Sequence, residues 1–208
     1  MDIKDPLAVR DWRKAQRARL LDMRRAMLPD AHRAASETIM QTLVSRLPPA
    51  AQLFVGCYWP FRREFNCLPY MRDVVRSGGR IALPVVIARG RPLEFRRWTE
   101  ESKMEPGTLN IPHPASGPAV SPPVLVIPLL GFDEAGFRLG YGAGYYDATI
   151  ASLPERPIAV AVGFESCRLP SIFPQPHDRP MDVVITESRV REWSRPSGSP
   201  ADHCRMSQ

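Results

Sequence analysis

The sequence predicts an α/β fold: a single domain with a largely parallel central sheet flanked by helices, in three layers of the αβα type. Three observations carry that expectation. The chain has 208 residues, 44% of them apolar and 24% charged. A chain of that length suits one domain that removes roughly 70% of its unfolded surface from water, with no need of a disulfide framework or structural metal. Apolar runs of strand length alternate with segments of helical composition, the order that βαβ units produce. The run at residues 124–130 is the most apolar strand candidate, as suits a strand covered on both faces.

The first helix is expected from Asp5-Pro6 to Met27. Asp5 can accept from the free first-turn amides, Pro6 fits the first turn, and the stretch is rich in Ala, Leu, Met, Arg and Lys. Pro29-Asp30 restarts the pattern. Ala31, Ala35, Ile39, Leu43 and Leu47 then recur every four residues with Met40 and Val44 beside them, one apolar stripe that Pro48-Pro49 ends. Residues 53–58 read as a buried strand, 68–76 as a helix closed by Gly78-Gly79, and 80–87 as another strand, together a βαβ unit. A shorter strand is expected at 93–98, followed by a Pro- and Gly-punctuated connection at 99–123. Residues 124–130 form the most apolar strand, 145–153 a short helix, and 158–164 and 182–186 the last strands. Residues 1–193 are expected to be the domain, and the small, polar tail 194–208 to be disordered. There is no internal repeat.

Net charge is +6, from 28 basic and 22 acidic side chains. Only Lys4, Lys14 and Lys103 are lysines, so 25 of the basic residues are arginines. A guanidinium fork matches phosphate and carboxylate oxygens two at a time, which fits an anionic ligand; a GC-rich genome gives the same bias. The front of the chain is basic and the back acidic: residues 104–208 carry 8 basic and 11 acidic groups. The densest cluster, Arg13, Lys14, Arg17, Arg19, Arg24 and Arg25, is confined to one early segment, where a nucleic-acid binder more often shows a continuous basic stripe with aromatics. No secretory apolar core follows the first basic residues, and the longest apolar stretch, 124–132, is too short to span a bilayer. Cys57, Cys67, Cys167 and Cys204 form no CxxC pair and have no zinc-ligand spacing. A soluble, cytoplasmic protein with reduced thiols is expected.

The segment most informative about chemistry is residues 128–147, PLLGFDEAGFRLGYGAGYYD. It follows a buried strand and opens a helix. Gly140, Gly142 and Gly144 alternate just before that helix, so backbone amides can approach an anion where the helix adds its positive dipole end. Glycines at such a turn also serve backbone conformation alone, and both readings stay open. Neither the nicotinamide fingerprint nor the Walker pattern fits. Arg138, two tyrosines and Asp147 accompany the loop. Asp147 either stabilises the helix terminus, by about 0.3 to 1 kcal/mol, or ligates Mg²⁺, which takes one or two carboxylates plus phosphate oxygens. Asp182 opens a strand that can bring a second carboxylate to the same end of the sheet.

With those residues in view, residues 13–187 resemble the 5-formyltetrahydrofolate cyclo-ligase family, also called methenyltetrahydrofolate synthetases. Phe132-Asp133 and Arg138 to Asp147 match its signature of Phe-Asp, a short hairpin and Arg-Leu-Gly-x-Gly-x-Gly-Tyr-Tyr-Asp. A basic N-terminal helix, the Glu of Arg63-Glu64-Phe65, and Pro-His-Asp-x-Pro-x-Asp at residues 176–182 fall in the right order. The resemblance implies that MgATP phosphorylates the formyl oxygen of 5-formyltetrahydrofolate, nitrogen-10 closes the ring, and 5,10-methenyltetrahydrofolate, ADP and phosphate leave. Such chemistry needs amides, cations and a metal more than a protein nucleophile.

By the same resemblance, Arg13 and Arg17, one helical turn apart, and the loop Arg138, Leu139, Gly140, Tyr141, Gly142, Ala143, Gly144, Tyr145 and Tyr146 are expected at ATP. Arg138 and Tyr145 are expected nearest the reacting atoms. Trp59, Glu64, Tyr141 and Tyr145 are expected at the folate, and Asp147 and Asp182 at Mg²⁺. Trp98 reads as a core residue, and Arg62 and Arg63 as attractors of the folate glutamate tail. Two positions depart from the family pattern: Arg13 stands where many relatives have Lys, and Ala143 where they often have Gly or Lys. The implied partners are folate and ATP, with no nucleic acid or membrane, and the protein is expected to be a monomer. The alternatives are a nucleic-acid-binding or regulatory protein using the basic helix, and an ATP-independent sugar-phosphate isomerase or transferase of similar fold.

Overall fold

The computed structural model describes residues 5–193, so the expected tail at 194–208 and Cys204 lie outside the described residues. α1 (Pro6–Ala26) and α2 (Pro29–Arg46) lead into β1 (Phe54–Gly56), α3 (Leu68–Arg76) and β2 (Arg80–Val85). β3 (Glu94–Trp98), β4 (Met104–Pro106), β5 (Pro112–Pro114), β6 (Ala119–Val120) and β7 (Val124–Pro128) follow. β8 (Gly131–Phe132), β9 (Arg138–Leu139), α4 (Tyr145–Ser152), β10 (Ile158–Val162), β11 (Val183–Ile185) and β12 (Val190–Glu192) complete the order.

The helices form for the reasons their sequences suggest. Asp5 caps α1 by accepting from the Leu7 and Ala8 amides, each at 3.2 Å, with Pro6 in the first turn. In α2, Ala35, Ile39 and Leu43 are buried, and Leu47 just beyond it is buried too, whereas Ala31 and Val44 face outward. α3 ends with Gly78 at φ +89°, while the Gly79 amide reaches back to Val74 O and the Gly78 amide to Val75 O. That paired return satisfies the last carbonyls and needs a left-handed residue at Gly78.

Eight strands form one sheet in the order β12-β11-β10-β7-β1-β2-β3-β6. The five central strands, β11 to β2 in that order, pair in parallel, and β12, β3 and β6 are antiparallel additions at the edges. Alternation along the strands makes two cores. Val124, Val126, Val160 and Val162 point to the face covered by α1, α2 and α3, and Leu125, Ile127, Ala159 and Ala161 to the face where Ile150 of α4 packs. The result is the expected three-layer αβα arrangement. The 99–123 connection is richer than expected, because β4 and β5 pair with each other inside it and β6 joins the sheet. The β8–β9 hairpin leaves the sheet and is tied by buried Asp133, which accepts from the Ala135 and Phe137 amides at 3.1 Å and from the Ile172 amide at 2.9 Å.

Candidate active site

A cleft of about 250 Å³ opens where β1, β2 and β7 end, lined by Tyr58, Trp59, Pro84, Val86 and Pro128 at those carboxyl ends. The carboxyl edge of a parallel sheet is the common ligand site of such folds. α1 contributes Arg13 and Arg17 to one wall, residues 138–147 form another, and Thr108, Leu109, Ile111 and His113 a third. Glu64, His177 and Asp178 complete the functional lining.

The glycine loop is shaped by backbone conformation and by close neighbours. Gly142 has φ +101° and Gly144, which caps α4 without a side-chain acceptor, has φ +67°. A Cβ on Gly142 would sit 3.2 Å from the Arg17 guanidinium carbon. Arg17 Nε donates to Gly140 O at 2.8 Å, so helix and loop hold each other. Burial, then the neighbouring Arg13, lowers the Arg17 pKa from its usual range. Arg138 is buried, donates from Nη2 to Asp147 Oδ2 at 3.1 Å, lies 5.2 Å from the centre of the Tyr146 ring, and leaves its Nε without a partner. Asp147 also accepts the Arg179 amide at 3.0 Å. Cations, unsatisfied first-turn amides and one carboxylate therefore converge, a set suited to polyphosphate.

The other end of the cleft is aromatic and carries a buried acid. Glu64 is 5% exposed and accepts the Phe61 amide at 2.9 Å, with Arg24 Nη1 at 3.9 Å. Burial lifts its carboxyl to about 7, against the lowering pull of Arg24 and of hydrogen bonds from Phe61 and Tyr141. Arg24 is 2% exposed and donates to Tyr141 Oη and Leu129 O. Half-buried Trp59 and the Phe61 and Tyr141 rings, 6.2 Å apart, flank this acid. Flat apolar walls around an acceptor suit a heteroaromatic ring with N–H donors.

The cleft gathers most of the residues expected at the site. Arg13, Arg17, Trp59, Glu64, Arg138, Leu139, Gly140, Tyr141, Gly142, Ala143, Gly144, Tyr145, Tyr146 and Asp147 all line the cleft. Asp182 does not, and strand direction is the reason. β11 runs parallel to β10, so Asp182 sits beside Ala159 at the amino edge of the sheet, accepting the Ala159 amide at 2.7 Å and Arg156 at 2.6 Å. The cleft is at the opposite, carboxyl edge. The basic cluster of α1 divides: Arg13, Arg17 and Arg24 turn inward, while Lys14, Arg19 and Arg25 face solvent. Trp98 is a core residue, as expected. Arg63 donates to Arg25 O and Met27 O, closing α1, whereas exposed Arg62 stacks 4.8 Å from the centre of the Phe61 ring at the cleft mouth. Sequence reasoning missed Arg24 and Asp178; the first looked like one more surface arginine, and the second lay inside a motif read only as a landmark.

A model described as the 5-formyltetrahydrofolate cyclo-ligase family matches residues 9–187. The 5-formyltetrahydrofolate cyclo-ligase of Mycolicibacterium smegmatis is 31% identical over 185 residues, covering 83% of this chain and 92% of its own. That of Escherichia coli K12 is 29% identical over 181 residues, covering 82% of this chain and 97% of its own. Among solved structures, the Aquifex aeolicus 5,10-methenyltetrahydrofolate synthetase superposes with a TM-score of 0.75 at 24% identity, over 92% of this chain and 98% of its own. A Mycoplasma pneumoniae 5,10-methenyltetrahydrofolate synthetase gives 0.69 at 20% identity, over 84% and 98%. These structural likenesses show the fold.

Proposed function

The chain belongs to the 5-formyltetrahydrofolate cyclo-ligase family and carries out its ATP-dependent conversion of 5-formyltetrahydrofolate to 5,10-methenyltetrahydrofolate; from that premise, we propose how the cleft divides the reaction between its two ends. The observation that carries the proposal is that the glycine loop joins a cationic wall, with Arg17 and Arg138, to an aromatic wall holding buried Glu64 in one continuous cleft.

The pterin lies at the aromatic end. Glu64, when ionised, accepts from its N–H groups, and Trp59 and Tyr141 cover its faces. The triphosphate lies at the other end, where Arg17, Arg138 and the amides of residues 140–146 neutralise and align it. The formyl oxygen attacks the γ-phosphorus and the bond to ADP breaks. The nitrogen-10 lone pair then bonds the activated carbon, the nitrogen-10 proton is lost, and the carbon–oxygen bond breaks to release phosphate. Arg138 and Tyr145, both on the cleft lining, are the residues this reading assigns to the reacting atoms, where charge develops on the transferred group. Magnesium would fit beside Asp147 and Asp178, the carboxylates on the lining at the triphosphate end, with phosphate oxygens and water as its other partners, since among the described residues no three-ligand group of His, Cys, Asp and Glu is present. When bound, it supplies charge neutralisation at those oxygens, with Asp147 and Asp178 as its protein partners.

Folate and ATP are the partners in this reading, and the protein works as a cytoplasmic monomer without nucleic acid or membrane. The inward turn of Arg13, Arg17 and Arg24 speaks against a nucleic-acid role for the basic helix; among the described residues no helix is long and apolar enough to cross a membrane. The test is the near-ultraviolet absorbance of methenyltetrahydrofolate, followed with and without MgATP. Product forming only with MgATP is expected; folded protein giving none would sink the reading.

A further inference from the structure

We infer that Arg24 is a positioning residue for the folate end of the cleft: from behind the wall it aims the Tyr141 hydroxyl at Glu64 and balances the charge of that carboxylate, so that Glu64 Oε1 is presented to the pterin as an acceptor. The inference rests on the proposed placement of the pterin and concerns how this chain holds the acid that meets it.

Arg24 follows Arg13, Arg17 and Leu20 on one inward stripe of α1, at helical spacing. Arg13 and Arg17 line the cleft and Arg24 does not, whereas Glu64 and Tyr141 both do. Any effect of Arg24 on folate therefore passes through those neighbours. Its guanidinium is buried, with Nη2 donating to Leu129 O just past β7 and Nη1 to Tyr141 Oη at 3.2 Å. The Tyr141 hydroxyl, having accepted from Arg24, keeps its own proton for a carboxylate, and Glu64 is the acceptor it meets. Nη1 itself lies 3.9 Å from Glu64 Oε1, beyond hydrogen-bond reach but close enough for opposite charges to stabilise each other. Arg24 Nε finds no partner among the described residues, so hydrogen bonds alone leave a guanidinium buried here uncompensated.

The acid is held from its own loop as well. Arg62 and Arg63 both take left-handed backbone, at φ +48° and +58°, and Glu64 Oε2 closes their turn by accepting the Phe61 amide at 2.9 Å. Arg63 ties the turn to Arg25 O and Met27 O. The end of α1 thus fixes the loop through its carbonyls and the acid on that loop through Arg24. With Oε2 committed to the turn, Oε1 is the oxygen left for a ligand. The other ionisable groups facing Glu64 are Arg62, Tyr58, Cys67, Tyr141 and Tyr146. Burial raises the pKa of the phenols and the thiol, which keeps them neutral, and Arg62 is exposed. Arg24 is the buried cation of the set.

The test compares Arg24→Met, Arg24→Lys, Tyr141→Phe, Glu64→Gln and the Arg24→Met/Glu64→Gln double variant. Two quantities are read across pH: the folate KM and kcat at saturating MgATP, and the carbon-13 titration of the Glu64 carboxyl in ligand-free protein, its signal assigned by its loss in Glu64→Gln. Arg24→Met should raise the titration midpoint by about one pH unit or more, the size of effect an opposite charge at this distance has. The ionised fraction at pH 7 then falls from about a half to about a tenth, so the folate KM should rise about fivefold or more there, with kcat changed far less and most of the loss recovered at alkaline pH. Arg24→Lys keeps the charge and should bring the midpoint back toward native. Tyr141→Phe keeps the ring and loses the hydroxyl; it should raise the midpoint by a smaller step, and it decides the arrangement should Arg24→Met not fold. The double variant should have a folate KM no worse than Glu64→Gln alone. An unmoved midpoint in Arg24→Met or Tyr141→Phe, a KM penalty equal at every pH, or additive penalties in the double variant would each overturn the inference. The titration needs no turnover. A native folate KM in Glu64→Gln would therefore count against the placement of the pterin, while the link from Arg24 to Glu64 would still be decided by the carboxyl signal.

Discussion

Burial raises the Glu64 carboxyl to about 7, while Arg24, the Phe61 amide and the Tyr141 hydroxyl pull the other way. A folded pKa above the unfolded value means that the folded state holds the proton more tightly, so stability from this group is full at low pH and is lost as pH rises from about 4.5 to 7. A shift of that size corresponds to a penalty on the order of 3 kcal/mol once the group is ionised. In the proposed reading, recognition of pterin N–H groups uses the ionised form. Glu64→Gln is therefore expected to raise the melting temperature above pH 7, to leave it nearly unchanged at pH 5, and to raise the folate KM. In the unmutated enzyme, kcat/KM for folate should climb with pH through about 7. Melting curves and initial rates across pH check both signs, and a melting gain that does not grow with pH would contradict the assignment. At Asp147, Asn keeps the shape but loses the charge; turnover is expected to fall strongly and its dependence on Mg²⁺ to weaken in a magnesium titration. Glu64 and Asp147 were legible in the sequence because the motifs frame them. Arg24 was not, since only the fold shows that its guanidinium lies under Glu64 and Tyr141.

At the scale of elements, the proposed reading gives the loop from Gly140 to Gly144 two jobs, a backbone one and a phosphate-positioning one, that separate experimentally. Gly142 is left-handed at φ +101°, and a Cβ there meets the Arg17 guanidinium at 3.2 Å. Gly142→Ala should cost about 1 to 3 kcal/mol of stability through backbone strain and also raise the KM for ATP by displacing Arg17. Gly78, at φ +89° beyond α3 with open space around it, is the matched control. Gly78→Ala should lose comparable stability and keep the native KM. Thermal melts paired with ATP titrations distinguish the two; an unaltered KM in Gly142→Ala would remove the loop from phosphate positioning. The helices and the five central strands were readable because caps, prolines and apolar runs are local signals. β4, β5, β6 and β12 were not, being two or three residues each, too short for periodicity and defined by partners far along the chain. Asp182 failed for a related reason. Its sequence neighbourhood gives the strand, but only the direction of β11 beside β10 gives the edge of the sheet on which it lands.

For the whole molecule, the arginine excess acquires a geometry that composition alone lacked. Three arginines of α1 face inward and serve three places in turn: Arg13 the 172–179 segment, Arg17 the glycine loop, and Arg24 the Glu64 end. One helix therefore braces both ends of the cleft against a single sheet, and ligands bound at either end should stabilise the same cooperative unit. A ligand at one hundred times its dissociation constant adds about 2.7 kcal/mol, which for a domain of this size is a rise of roughly 5 to 10 °C in melting temperature. ADP with magnesium and 5-formyltetrahydrofolate are each expected to give such a rise. Arg17→Ala should diminish the nucleotide shift and spare the folate shift, and Glu64→Gln should do the reverse. If both variants lost both shifts equally, the two ends would not be separate subsites, and the division of labour along α1 would have to be abandoned.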